Sequence, residues 1–178
     1  MSGFVVWFTG LSGAGKTTVA NIVEAELEQR GHVVEHLDGD IVRTHLSKGL
    51  GFSKEDRDAN IHRIAWVSSR VARAGAAVIV SAISPYEEAR LHARSLVESH
   101  APFVEVYVAT PLDECARRDP KGLYAAAFAG EIQDFTGVSA PYEEPSSPEV
   151  RIDTTGVSPS ESAQFVLDRL EQMAVTHA

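Results

Sequence analysis

Gly10-Leu11-Ser12-Gly13-Ala14-Gly15-Lys16-Thr17 fits the spacing G-x-x-x-x-G-K-[ST], between the apolar run Phe4 to Thr9 and the stripe Val19, Ile22, Val23 and Leu27. Residues of these types in this order hold phosphates. The glycines let successive backbone N–H groups turn inward around an anion, and the N-terminus of the following helix adds about half a positive charge. Lys16 then reaches the β and γ phosphates, and the Thr17 hydroxyl is a ligand for Mg²⁺.

A second group of chemical residues closes the next β-rich run, which ends Leu37-Asp38-Gly39-Asp40 with Arg43 one turn later. In an open α/β sheet the crevice lies outside the carboxyl ends of the strands. Asp38 and Asp40 therefore face a phosphate held by the glycine-rich loop. One holds Mg²⁺ through water while the other accepts a proton from an acceptor hydroxyl. The sequence supports either assignment, and the alternative is a pair of turn-forming Asp residues around a Gly. No Asn-Lys-x-Asp tetrapeptide is present to read a guanine base.

Further along, Arg57 and Asn60 share a helical face with Ile61 and Ile64. Polar groups at the head of a core-facing stripe are costly without partners, so both are expected to face a cleft and hydrogen-bond a ligand. A structural salt bridge or cap is the alternative for Arg57. Phe52, in Leu50-Gly51-Phe52-Ser53, reads locally as a hydrophobic staple ahead of a stacking platform.

The elements that must position these residues alternate between β-rich runs and helical periodicity, the pattern of βαβ units around a parallel sheet. Strands are predicted at Phe4 to Thr9, His32 to Leu37, Ala77 to Ile83, Phe103 to Ala109 and Val150 to Asp153. A hydroxyl cap, a Pro at the first helical position and a following acid mark helix starts at Ser84-Pro85, Thr110-Pro111 and Ser158-Pro159. A helix without the Pro begins after Ser53 and stops at Gly75. From Asp119 to Pro148 the periodicity fails among prolines and glycines, as in lids and binding loops.

Composition narrows the function. The chain has 178 residues, suited to a single domain over 1–178, and its 16 Lys plus Arg against 25 Asp plus Glu give a net charge of −9. Such a surface repels nucleic acid and anionic membranes. An apolar span is lacking, as are the basic segment and cleavage pattern of a signal peptide, so the expectation is a soluble, unexported protein. The single Cys115 forms no intrachain disulfide, which suits a reducing cytoplasm, and it is expected to pack as a small apolar residue. His32, His36 and His45 have no metal-ligand spacing.

Taken together, these motifs resemble the adenylylsulfate kinase (APS kinase) family. The resemblance runs through Gly10 to Thr18, Leu37 to Asp40, Gly51-Phe52-Ser53 with Asp56-Arg57 and Asn60, and Ile83-Ser84-Pro85-Tyr86. It continues through Arg118-Asp119-Pro120-Lys121-Gly122-Leu123-Tyr124, and Asp134-Phe135-Thr136-Gly137 with Pro141-Tyr142-Glu143. It implies a P-loop NTPase-type, five-stranded parallel α/β sheet with helices on both faces and a lid at about 119–148. The implied reaction moves the γ-phosphate of ATP, with Mg²⁺, to the 3′-hydroxyl of adenylyl sulfate.

By matching position, the resemblance places ATP on Gly10 to Thr18 and Arg118, and the metal at Thr17 and Asp38. Asp40 falls near the acceptor hydroxyl. Arg43, Arg57 and Asn60 fall on the phosphosulfate, and Phe52 with Phe135 on either side of the acceptor adenine, which reverses the local staple reading. Asp38 and Ile83 join the acceptor side, Lys121 and Leu123 the lid, and Ser84 matches the family's phosphoserine position. Ile41 and His62 depart from the usual Asn and Arg. A homodimer and functional pairing with ATP sulfurylase are further implications. Another small-molecule P-loop kinase, of sugar or shikimate type, and a non-catalytic nucleotide-binding subunit are the competing readings; the first should lack the paired aromatic platform.

Overall fold

The computed structural model describes residues 3–177. Its strands are β1 (Phe4–Thr9), β2 (Val34–Asp38), β3 (Ala77–Ser81), β4 (Phe103–Val108) and β5 (Val150–Ile152), all parallel in the order β2-β3-β1-β4-β5. The helices are α1 (Lys16–Gln29), α2 (Gly39–His45), α3 (Lys54–Arg73), α4 (Glu87–Glu98), α5 (Leu112–Arg118), α6 (Leu123–Phe128) and α7 (Pro159–Gln172). None of these helices is long and apolar enough to cross a membrane.

The period of two in β1 divides the core. Phe4, Val6 and Phe8 pack with Val19, Val23 and Leu27 of α1 and Val166 and Leu170 of α7 on one face. Val5 and Trp7 pack with Ile61 and Ile64 of α3 and Ala93 and Val97 of α4 on the other. Burial on both faces is why β1, β3 and β4 read as nearly continuous apolar runs. The exception within β4 is Glu105, buried beside Arg90, with its Oε1 3.2 Å from Arg90 Nε.

Several boundaries differ from the sequence reading. β2 begins at Val34 and takes in Asp38, while β3 stops at Ser81 because the chain turns at Ser84, which holds φ at +42°. Ser84 and Thr110 are not helix caps. Tyr86 occupies the N-cap position of α4, and the lid's Glu143 Oε2 accepts from Glu87 N at 2.8 Å in place of a local hydroxyl. Pro111 likewise precedes α5, Thr110 being drawn away to the glycine-rich loop. Ser53 and Ser158 cap as expected, Ser158 in a capping box with Glu161. The irregular stretch contains a helix after all, the six-residue α6, where the apolar side chains of Tyr124 and Ala127 are buried.

Candidate active site

The carboxyl ends of β1, β2 and β3 open onto one cleft of about 710 Å³. The chain after β1 supplies Ser12, Gly13, Gly15, Lys16, Thr17 and Thr18, and the junction of β2 and α2 supplies Asp38 and Asp40. Arg43 comes from α2, Phe52 from the connection to α3, Arg57 and Asn60 from the head of α3, and Ile83 and Ser84 from the turn after β3. Arg118, Lys121, Leu123 and Phe135 complete the lining from the lid side. The three remaining sequence candidates, Gly10, Leu11 and Ala14, belong to the loop but do not line the cleft. Ala14 is fully buried, Leu11 lines a neighbouring cavity of about 540 Å³, and Gly10 is pressed so close to β4 that a Cβ would sit 2.5 Å from Val108 O. Gly10 and Leu11 act through their carbonyls, which accept from Lys16 Nζ at 2.9 and 2.7 Å.

Electrostatics at the loop follow from its burial. Removal from water pushes the Lys16 ammonium down to about 8, partly opposed by Cys115, Asp38 and Asp40. The two carboxylates are differently employed. Asp38 caps α2, its Oδ1 accepting from Asp40 N at 2.9 Å while Oδ2 accepts from Thr17 Oγ1 at 2.8 Å. Asp40 reaches across the cleft to an ion pair with Lys121 of the lid. Asp38 thus has a local structural role, as the cap of α2 rather than one of a pair of turn-forming residues, and its carboxylate still faces the loop.

Arg57 is 8% exposed and its guanidinium is largely occupied by protein. Nε donates to Phe52 O at 2.8 Å, Nη1 to Thr136 Oγ1 at 2.9 Å and Nη2 to Asp134 O at 2.6 Å, which ties the lid to α3. This is a hydrogen-bonded tether rather than the salt bridge or cap considered from sequence. Asn60 is 6% exposed and its Oδ1 is buried without a hydrogen-bond partner, a group awaiting a donor. Phe52 forms no hydrophobic staple. The staple partner would be residue 57, an arginine whose Cζ lies 5.5 Å from the ring centroid, and Arg43 lies over the same ring at 4.4 Å. The ring itself remains 59% exposed at the cleft.

Ser84 is buried, with its Oγ accepting from Trp7 Nε1 at 3.1 Å and donating to Ala82 O at 3.2 Å. Beside the glycine-rich loop, Arg118 Nε donates to Glu114 Oε1 at 2.8 Å, and Arg117 and Arg118 together hold the Glu114 carboxyl down to about 2. Cys115 is fully buried, as expected.

Sequence reasoning gave no site role to the residues that brace the cleft. Tyr142 shares a 2.8 Å hydrogen bond with Thr9 Oγ1, and Arg90 donates to Ser84 O and Glu143 O, both at 2.6 Å. Thr110 and Thr154 close behind Ala14. The two threonines carry a signal in their placement, each lying just past a strand end where the chain passes the loop, whereas Arg90 lies within α4 and Tyr142 in the lid.

The chain is similar to known proteins over nearly its whole length. The family model described as Adenylylsulphate kinase matches residues 2–153. An adenylyl-sulfate kinase of Picosynechococcus sp. is 53% identical, the match covering 96% of this chain and 95% of the relative. A probable bifunctional SAT/APS kinase 2 of Sorangium cellulosum is 54% identical over 97% of this chain, which spans 29% of that longer relative. The Mycobacterium tuberculosis APS kinase in complex with AMPPNP and APS superimposes with a TM-score of 0.92 at 47% identity, over 96% of this chain and 98% of that one.

Proposed function

The chain belongs to the adenylylsulphate kinase family, and we propose a division of labour in which the glycine-rich loop holds ATP while the Asp40 side of the cleft holds and deprotonates the acceptor. The reaction transfers the γ-phosphate of ATP to the 3′-hydroxyl of adenylyl sulfate, leaving ADP and 3′-phosphoadenylyl sulfate. The observation that carries the assignment is the closure of one cleft by Lys16 and Asp40, with Lys121 of the lid paired to Asp40.

Phosphoryl transfer asks a protein mainly for positioning and charge stabilisation. Lys16 supplies a cation at the loop mouth, where low exposure strengthens its pull on the transferring group. Asp40 takes the proton that the 3′-hydroxyl loses as the new P–O bond forms. Arg43 and Arg57 bring positive charge to the acceptor's anionic bridge, where the Asn60 amide N–H would donate while its unpartnered Oδ1 accepts from a donor group of the substrate. Phe52 and Phe135 supply aromatic faces for the acceptor adenine, and Arg118 lies on the donor side.

The oxygens of Thr17 and Asp38, 2.8 Å apart beside the loop, are the hard donor set that suits Mg²⁺. Bound there with the nucleotide, the ion would supply charge neutralisation at the phosphates. Ser84, held between Trp7 and Ala82 O, serves as a structural member of the acceptor wall, since direct in-line transfer needs no covalent enzyme intermediate. A homodimer and operation beside ATP sulfurylase in a reducing cytoplasm complete the reading, the pairing supported by the bifunctional relative.

The test is an acceptor screen with ATP and Mg²⁺. Adenylyl sulfate should be consumed with stoichiometric ADP, and shikimate, gluconate and plain nucleosides should not. No turnover of adenylyl sulfate, together with no thermal shift from adenylyl sulfate plus ADP, would overturn the assignment.

A further inference from the structure

The carbonyl of Ala14 is gripped from behind the glycine-rich loop by two hydroxyls. Thr154 Oγ1 lies 2.7 Å and Thr110 Oγ1 2.9 Å from Ala14 O, and the two hydroxyls lie 2.7 Å from each other. Each carries one proton, so whichever way the pair is oriented at least one is donated to the carbonyl. Thr154 is fixed in turn. Its Oγ1 accepts from Arg118 Nη1 at 2.8 Å, its carbonyl from Arg118 Nη2 at 3.1 Å, and its N–H donates to Thr110 Oγ1 at 3.2 Å. Both threonines are buried and come from different strand ends, Thr110 after β4 and Thr154 after β5.

A trans peptide points its C=O and N–H in opposite directions. Holding Ala14 O against the two threonines therefore turns the N–H of Gly15 toward the cleft, which Gly15 lines. Among the described residues no protein group accepts from that N–H. Thr154 also fits the space left by the missing side chain of Gly15, since a Cβ there would come within 3.3 Å of both Thr154 Cγ2 and Oγ1. We propose that Thr154, with Thr110, is the positioning residue of the phosphate cradle, setting the Ala14–Gly15 peptide so that the Gly15 N–H is presented to the donor phosphates.

The proposal rests on the assignment of this loop to ATP and goes beyond it by locating what preorganises it. Thr154→Val keeps the shape and removes the hydroxyl, whereas Thr154→Ser keeps the hydroxyl. Calorimetry with ADP, competition with inorganic tripolyphosphate and separate titration with adenylyl sulfate read the result. Thr154→Val should weaken ADP and tripolyphosphate by the same factor, about tenfold for one charge-assisted hydrogen bond. Adenylyl sulfate affinity should stay with the parent, and Thr154→Ser should recover phosphate binding. Thr110→Val should change the same readouts in the same direction, which keeps the test available if Thr154→Val does not fold.

Unchanged ADP affinity in both Val variants would overturn the proposal. So would a loss for ADP that spares tripolyphosphate, which would mean that Thr154 acts through Arg118, or an equal loss for adenylyl sulfate, which would mean general damage. A parent protein that binds neither ADP nor tripolyphosphate would instead overturn the assignment of the loop.

Discussion

Lys121 of the lid and Asp40 at the head of α2 form an ion pair across the mouth of the cleft. Their side chains are 57% and 76% exposed, so the pair contributes within about 0–1 kcal/mol of stability. The consequence proposed for it is catalytic, with Asp40 as the base. Asp40→Asn keeps shape and hydrogen bonding but removes the base, and should cut kcat by about 10²-fold or more while ATP binding stays within a few-fold. Lys121→Met should lower kcat/KM by about tenfold and leave Tm almost unmoved. An Asp40→Asn enzyme with parental kcat and only a raised KM for adenylyl sulfate would make Asp40 a binding residue.

Asp38 caps α2 and is the proposed metal ligand, and one substitution separates the two. Asn caps helices about as well as Asp, so Asp38→Asn should retain the cap on α2 while losing a full charge beside Thr17. The expected outcome is a near-parental Tm with a raised Mg²⁺ concentration for half-maximal activity. Asp38→Ala loses the cap as well and should cost about 1 kcal/mol in addition. A parental Mg²⁺ profile for Asp38→Asn would exclude Asp38 from the metal site.

Ser84 is a stability residue with a backbone cost of its own. Removing its hydroxyl leaves the buried Trp7 indole N–H without its acceptor, a loss of about 1–3 kcal/mol, or roughly 2–4 °C of Tm for each kcal/mol in a domain of this size. Ser84→Gly loses the same acceptor but relieves the positive φ, and should exceed Ser84→Ala in Tm by about 1 kcal/mol equivalent. Both variants should retain substantial kcat. A folded Ser84→Ala protein without turnover would overturn this structural reading of Ser84.

The Ser84 case also shows where local sequence grammar stops. Ser-Pro-x-Glu specifies a helix start at Ser158, where nothing else competes for the hydroxyl, but not at Ser84, where Trp7 takes the oxygen and Glu143 supplies an acceptor to α4 from 56 residues away. Thr110-Pro111 fails for the same reason, because Ala14 O and Thr154 lie within reach. Strands were legible because burial on both faces writes continuous apolar runs, as in β1 and β3. The glycine-rich loop was legible because its chemistry is local in sequence. Arg57 was legible as a polar residue at a cleft, yet its tether to Asp134 O and Thr136 depends on how the lid folds back, which no helical projection contains.

The last prediction concerns protons taken up with the nucleotide. Burial holds the Lys16 ammonium at about 8 in the free protein, below its ordinary value of 10.5. Phosphates bound against it favour the charged form and raise that value in the complex. Below pH 8 Lys16 is charged in both states and contributes no pH dependence. Above it the free protein has lost a proton that the complex retains, so binding takes one up and affinity falls by at most about tenfold per pH unit. For folding the sign is that of a depressed carboxylate and the reverse of a lysine whose value is raised by an acidic partner. Between about 8 and 10.5 the unfolded chain holds the proton more tightly, so this group's contribution to stability rises with pH across that window. Calorimetric titration of ADP at pH 8.5, in two buffers of different ionisation enthalpy, should show net proton uptake in the parent and none in Lys16→Met. Uptake that persists in Lys16→Met would assign the proton to another group.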